Sequence, residues 1–103
     1  MQNNLAPICL FTYNRLEETK LTIEALQNNF LASDSKLFIF SDGPKNENSR
    51  SKVQAVRNYI HSIKGFKNVH VFESKTNKGL ATSIIEGVTT IINEYDRVIV
   101  LED

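Results

Sequence analysis

Arg97-Val98-Ile99-Val100-Leu101-Glu102-Asp103 reads as an apolar strand that delivers two carboxylates at its carboxyl end. The run from Val98 to Leu101 shows no polar alternation, the pattern of a strand buried on both faces in a parallel sheet. Ile8-Cys9-Leu10-Phe11 has the same character near the other end of the chain. Outward from these two, four short apolar runs can be marked: Pro7 to Tyr13, Lys36 to Ser41, Asn68 to Glu73 and Arg97 to Leu101. Their starts lie 29, 32 and 29 residues apart. Each interval holds one stretch of helical period. The first is expected to bury Leu16, Thr19, Ile23, Leu26 and Phe30, and the second Val53, Val56, Ile60 and Ile63. The third is expected to bury Ala81, Ile84, Ile85, Val88, Ile91 and Ile92. Each set follows the spacing of a single helix face. Asn14 with Glu17 three residues on resembles a capping box opening the first helix. Asp42-Gly43-Pro44 is turn chemistry, and Lys45 to Arg50 reads as a polar surface loop. Gly87, inside the third helix, costs about 1 kcal/mol relative to alanine, which points to close packing there. The order β-α-β-α-β-α-β predicts a three-layer α/β/α domain with a mainly parallel sheet.

Bulk properties narrow the classes. At 103 residues, with 41% hydrophobic and 23% charged residues, the chain has the composition of one globular domain or part of one. Its 12 basic and 12 acidic residues balance, so nucleic acid is not an expected partner. Cys9 is the only cysteine, which rules out an internal disulfide. Within a strand it reads as a small buried hydrophobe, and the composition fits a reducing, cytoplasmic setting. No apolar run approaches the roughly 18 residues of a transmembrane segment. Met1-Gln2-Asn3-Asn4 lacks the positive start of a signal peptide.

Ligands of open α/β sheets sit beyond the carboxyl ends of the strands, at the topological switch point. In order, those ends are Thr12-Tyr13-Asn14-Arg15, Ser41-Asp42-Gly43, Ser74-Lys75-Thr76-Asn77-Lys78-Gly79 and Glu102-Asp103. They bring two cationic and two acidic segments to one edge, a lining suited to a nucleotide, although loops are polar in any case. No G-x-G-x-x-G follows the first strand, and no phosphate-loop G-x-x-x-x-G-K-[ST] is present. No G-x-S-x-G elbow occurs either, which argues against an α/β-hydrolase. His61 and His70 fall on different elements and read as structural or exposed residues rather than a metal pair.

Four segments together carry a resemblance. They are Pro7 to Arg15 (PICLFTYNR), Phe40-Ser41-Asp42-Gly43, Asn77-Lys78-Gly79-Leu80-Ala81 and Val98 to Asp103 (VIVLED). In this order the chain resembles the N-terminal, nucleotide-binding half of a GT-A-type glycosyltransferase of the large family-2-like group. The resemblance spans almost the whole chain and implies the Rossmann-like half of that fold. Glu102-Asp103 is similar to the start of an E-D-D acidic metal motif.

The resemblance implies a nucleotide-diphosphate sugar donor of UDP or GDP type, and Mg²⁺ or Mn²⁺ as cofactor. Thr12, Tyr13 and Asn14 would line base and ribose, and Asp42 would accept from the base edge. Lys78 would face base or phosphate. Glu102 and Asp103 would approach ribose and the metal-bound diphosphate, with Asp103 as the metal-side acid. Arg15 is either a phosphate contact or a member of a helix-surface ion pair. In the family a further carboxylate binds the metal directly, and this chain lacks a residue after Asp103. The resemblance therefore implies a nucleotide-sugar-binding subdomain over residues 1–103, cut at its C-terminal end and unable to turn over alone. Acceptor and catalytic base would lie beyond Asp103. Such a piece would expose a sheet edge and self-associate. Two alternatives stand beside this: a sugar-phosphate nucleotidyltransferase-like domain, although Thr12 to Arg15 has no glycine, and a non-catalytic α/β interaction or regulatory domain.

Overall fold

The computed structural model describes residues 5–102. The elements run β1 (Ile8–Thr12), α1 (Leu16–Gln27), β2 (Lys36–Ser41), α2 (Arg50–Ile60), β3 (Asn68–Glu73), α3 (Leu80–Tyr95) and β4 (Ile99–Glu102). Short 3₁₀ turns at Ala32–Asp34 and Glu47–Ser49 precede β2 and α2. The sheet order is β3-β2-β1-β4 and every pairing is parallel. The chain thus adopts the expected α/β architecture, a Rossmann-like three-layer sandwich.

All five residues of β1 are buried, which accounts for its unbroken apolar run. Ile8 and Leu10 pack with Leu37 and Ile39 of β2 against Ile23 of α1 and Val56 and Ile60 of α2. Cys9 and Phe11 turn to the other face, where Phe38 and Ile91 of α3 complete a second core. Burial of each large apolar side chain contributes about 1.5–3 kcal/mol. From β1 through α1, β2 and α2 to β3 the chain moves steadily to one side, with both helices on one face. α3 then crosses the opposite face and places β4 on the far side of β1. The direction of winding therefore reverses between β1 and β4, and their carboxyl ends frame the switch-point crevice.

Several local expectations are corrected. β4 is an edge strand, with Ile99 and Val100 48% and 41% exposed, not a doubly covered one. The two cores are centred on β1 and β2, so the outer strands are only partly roofed. Arg97 and Val98 precede β4, which starts at Ile99. Phe30 is 88% exposed because α1 ends at Gln27. On α3 the packed seam runs through Ile84, Val88, Ile91 and Tyr95. Ala81 and Ile85 lie on one flank of that seam and are exposed. The Asn14–Glu17 capping box does not form. Arg15 is the N-cap residue of α1, no side chain caps it, and its carbonyl accepts from the Thr19 amide at 3.0 Å and hydroxyl at 2.7 Å. Gly87 does mark close packing: a Cβ there would lie 2.9 Å from two ring atoms of Phe11. Among the described residues no helix is long and apolar enough to cross a membrane.

Candidate functional site: a cleft at the carboxyl edge of the sheet

Beyond β1 the chain leaves the sheet through Thr12-Tyr13-Asn14-Arg15, and these four residues line a cleft of about 320 Å³. Its other walls come from Asp42 after β2, from Asn77 and Gly79 after β3, and from Leu80 and Ser83 in the first turn of α3. The volume lies at the lower end of the range for small-molecule sites. Thr12 is buried; its carbonyl accepts the Asp42 amide at 3.1 Å, tying β1 to β2. Tyr13 is partly buried, and its hydroxyl accepts the Lys45 amide at 2.9 Å, holding the loop that follows β2.

Asp42 is the keystone of this edge. It is 8% exposed, and its carboxylate gathers four donors. Oδ1 accepts from the amides of Gly43 at 2.8 Å and Lys78 at 2.9 Å. Oδ2 accepts from the Gly79 amide at 2.9 Å and from Asn77 Nδ2 at 3.3 Å. Asn77 Nδ2 also donates to the Gly43 carbonyl at 2.9 Å. The loop after β3 is thereby drawn onto the end of β2. Gly43 permits this approach: a Cβ would lie 2.6 Å from the Thr76 carbonyl oxygen. Gly79, with φ of 83°, then starts α3 without a side-chain cap. The first-turn amides of a helix favour negative charge, and this turn faces the cleft.

Arg57 braces the same junction from behind and was not singled out by sequence reasoning. Its side chain is 14% exposed. Nε donates to Ser41 Oγ at 2.9 Å, and Nη2 donates to the carbonyls of Ser41, Asp42 and Ser74 at 3.3, 3.2 and 2.8 Å. Glu73 completes the group, with Oε1 3.7 Å from Arg57 Nη1 and Oε2 2.7 Å from His61 Nε2. The available signal was positional: Arg57 falls within the apolar stripe of Val53, Val56 and Ile60, where a cation needs several acceptors. Asn77 was also passed over, although it lies beside Lys78 in the same segment.

The structure thus brings Thr12, Tyr13, Asn14 and Asp42 together. Arg15 lines the cleft but its guanidinium pairs with Glu18 at 3.1 Å. Hydrogen bonds from the Glu18 backbone amide, then from Arg15, hold the Glu18 carboxyl below its ordinary range. The side chain of Lys78 turns away to Glu86 of α3 at 2.6 Å and lines an adjoining cavity instead. Glu102 closes β4 beside Phe11 of β1, exposed and outside the cleft lining. Asp103, the metal-side acid of the resemblance, lies outside the described residues. Among the described residues no group of three metal-ligating side chains is gathered.

No protein-family model, no curated protein and no solved structure matches this chain.

Proposed function

We propose that this chain binds a nucleotide-diphosphate sugar and forms the donor-binding part of a glycosyltransferase. The observation that carries this is the position of the cleft. Thr12, Tyr13 and Asn14 at the end of β1 meet Asp42 at the carboxyl edge of a parallel sheet, beside the reversal of strand order. Support comes from the GT-A-like order of the segments around residues 7–15, 40–43, 77–81 and 98–103. The first turn of α3 adds a field that favours an anionic ligand.

In the reaction, the bond between the sugar's anomeric carbon and the diphosphate oxygen breaks as an acceptor hydroxyl or amine attacks that carbon. The nucleoside diphosphate departs with the bonding electron pair, and the acceptor's proton passes to a catalytic base that the resemblance places beyond Asp103. A bound Mg²⁺ or Mn²⁺ supplies Lewis-acid stabilisation of the departing negative charge in such enzymes. The described residues offer Glu102 alone at the end of β4, so they do not complete a site for the ion. The part played by this chain is to hold the donor: Tyr13 and Asn14 flank base and ribose, Asp42 fixes the loop that closes the cleft, and Thr12 anchors β1 beneath it.

One observation favours a second reading, a non-catalytic α/β domain. The Asp42 carboxylate already accepts four hydrogen bonds from the chain itself, so its placement is explained without a ligand.

Thermal unfolding against UDP, GDP and their sugar conjugates, with and without Mn²⁺, separates the two. Ligand at 100 times its dissociation constant adds about 2.7 kcal/mol. For a domain of this size that raises Tm by about 10 °C or more. A selective rise with one nucleotide diphosphate is expected, and the absence of any rise with all of them sinks the donor-binding proposal.

A further inference from the structure

Among the described residues, three charged side chains line the cleft: Arg15, Asp42 and Lys45. Two of them are already committed. The Arg15 guanidinium pairs with Glu18 at 3.1 Å. The Asp42 carboxylate is buried and accepts four hydrogen bonds from the chain itself. Lys78, a further cation of this edge, is turned to Glu86 at 2.6 Å and lines the adjoining cavity. Lys45 differs from all three. Its ammonium forms no ion pair with any described carboxylate.

The backbone beneath Lys45 is fixed at successive points. The Asp42 amide donates to the Thr12 carbonyl at 3.1 Å. The Gly43 amide donates to Asp42 Oδ1 at 2.8 Å, and the Lys45 amide donates to the Tyr13 hydroxyl at 2.9 Å. Pro44, between them, has its φ locked by its ring. The Lys45 side chain therefore starts from a defined point on the cleft wall, while its exposed four-carbon stem keeps its freedom. A cation fixed at its root and free at its head can follow a flexible anionic group. The first turn of α3 lines the same cleft and adds positive potential. Both features favour the charged part of a nucleotide over its neutral nucleoside.

We propose that Lys45, to which the resemblance gives no role, binds the diphosphate of the donor through its ammonium. This rests on the donor-binding proposal above.

UDP, GDP, uridine and guanosine are titrated into the isotope-labelled parent chain and into Lys45→Gln, Lys45→Arg and Lys64→Gln, with affinity read from amide shifts. Lys64 lies between α2 and β3, at the opposite edge of the sheet, and controls for the loss of one positive charge. In the parent, one nucleoside diphosphate should bind more tightly than its nucleoside. Lys45→Gln should weaken that diphosphate about tenfold, the loss of one charge-assisted hydrogen bond, and change the nucleoside by less than about twofold. Lys45→Arg should restore most of the loss, and Lys64→Gln should cause none. The spectrum of each variant reports directly whether the fold is kept.

Unchanged diphosphate affinity in Lys45→Gln would overturn the assignment and leave the donor cleft standing. An equal loss for nucleoside and diphosphate would also overturn it, since Lys45 would then shape the cleft without meeting the phosphates. So would an equal loss in Lys64→Gln. If none of the four compounds binds the parent, the donor-binding proposal fails and this one with it.

Discussion

Replacement of Asp42 by alanine should release the loop that closes the cleft. The Lys78 and Gly79 amides, 36 and 37 residues away in sequence, both donate to its carboxylate at 2.9 Å. A hydrogen bond to a charged group has a net worth of about 1.5–3 kcal/mol. The loop is only partly buried, so water can replace part of what is lost, and the lower end of that range applies. Two long-range bonds then give a cost of about 3 kcal/mol for Asp42→Ala. At about 4–8 °C per kcal/mol, Tm should fall by about 12 °C or more. Asp42→Asn keeps one acceptor oxygen for Gly43 and Lys78 but turns an NH₂ toward the Gly79 amide. About half the cost should remain. Circular dichroism melts give the stability, and hydrogen exchange at the Lys78 and Gly79 amides locates the effect. Those two amides should lose protection before the core amides of β1 do. A Tm within about 3 °C of the parent, with unchanged exchange at residues 78 and 79, would refute the keystone role.

Other consequences are equally direct. Arg57→Met keeps the apolar stem but strands the carbonyls of Ser41, Asp42 and Ser74, and should cost about 3 kcal/mol in urea unfolding. Arg57→Lys should recover less than half, because a single terminal nitrogen cannot serve the three carbonyls and also replace the Nε bond to Ser41 Oγ and the Nη1 contact with Glu73, and full recovery would contradict the bracing geometry. Gly87→Ala gains about 1 kcal/mol of helix propensity, yet its methyl would press on the buried Phe11 ring; a net loss of about 1 kcal/mol is expected, and a stabilised variant would count against it. Burial pushes the Cys9 thiol up to about 11 from an ordinary 9.0. The folded chain therefore keeps that proton after the unfolded chain has lost it. This contribution to stability is complete below pH 9 and fades as pH rises toward 11. Cys9→Ala should flatten the alkaline fall in urea midpoint, and parallel pH profiles for the two proteins would rule the effect out.

The fold was legible because two periodicities were clean. Unbroken apolar runs at Ile8–Phe11 and Leu37–Phe40 marked the inner strands, and the stripes of α1 and α2 marked their cover. β4 was misread because Val98 to Leu101 has the composition of an inner strand while the sheet order makes it an edge. Composition reports what a strand tolerates on its faces, and only topology says how many neighbours it has. The capping box at Asn14 failed for a related reason: the helix began one residue later than the local signal suggested. At the site, strand-end reasoning named Thr12, Tyr13, Asn14 and Asp42, and the structure brings these four to one cleft. It could not see that the Lys78 amide, not its ammonium, meets Asp42, since backbone donors carry no sequence signature. Arg57 went unnoticed because its acceptors are carbonyls from the ends of two strands. The stacking of Phe11 on Phe40 and of Phe40 on Phe72 was likewise invisible until the parallel register aligned the three strands.

The most direct test of the donor cleft is an amide-shift titration of the labelled chain with UDP, GDP and their sugar conjugates. The expected result is saturable movement centred on Tyr13, Asn14, Arg15, Gly79 and Leu80 with one nucleotide diphosphate, weakened in Asp42→Ala. No saturable movement with any of them, or movement confined to residues away from the carboxyl edge of the sheet, would contradict nucleotide-sugar binding at this site.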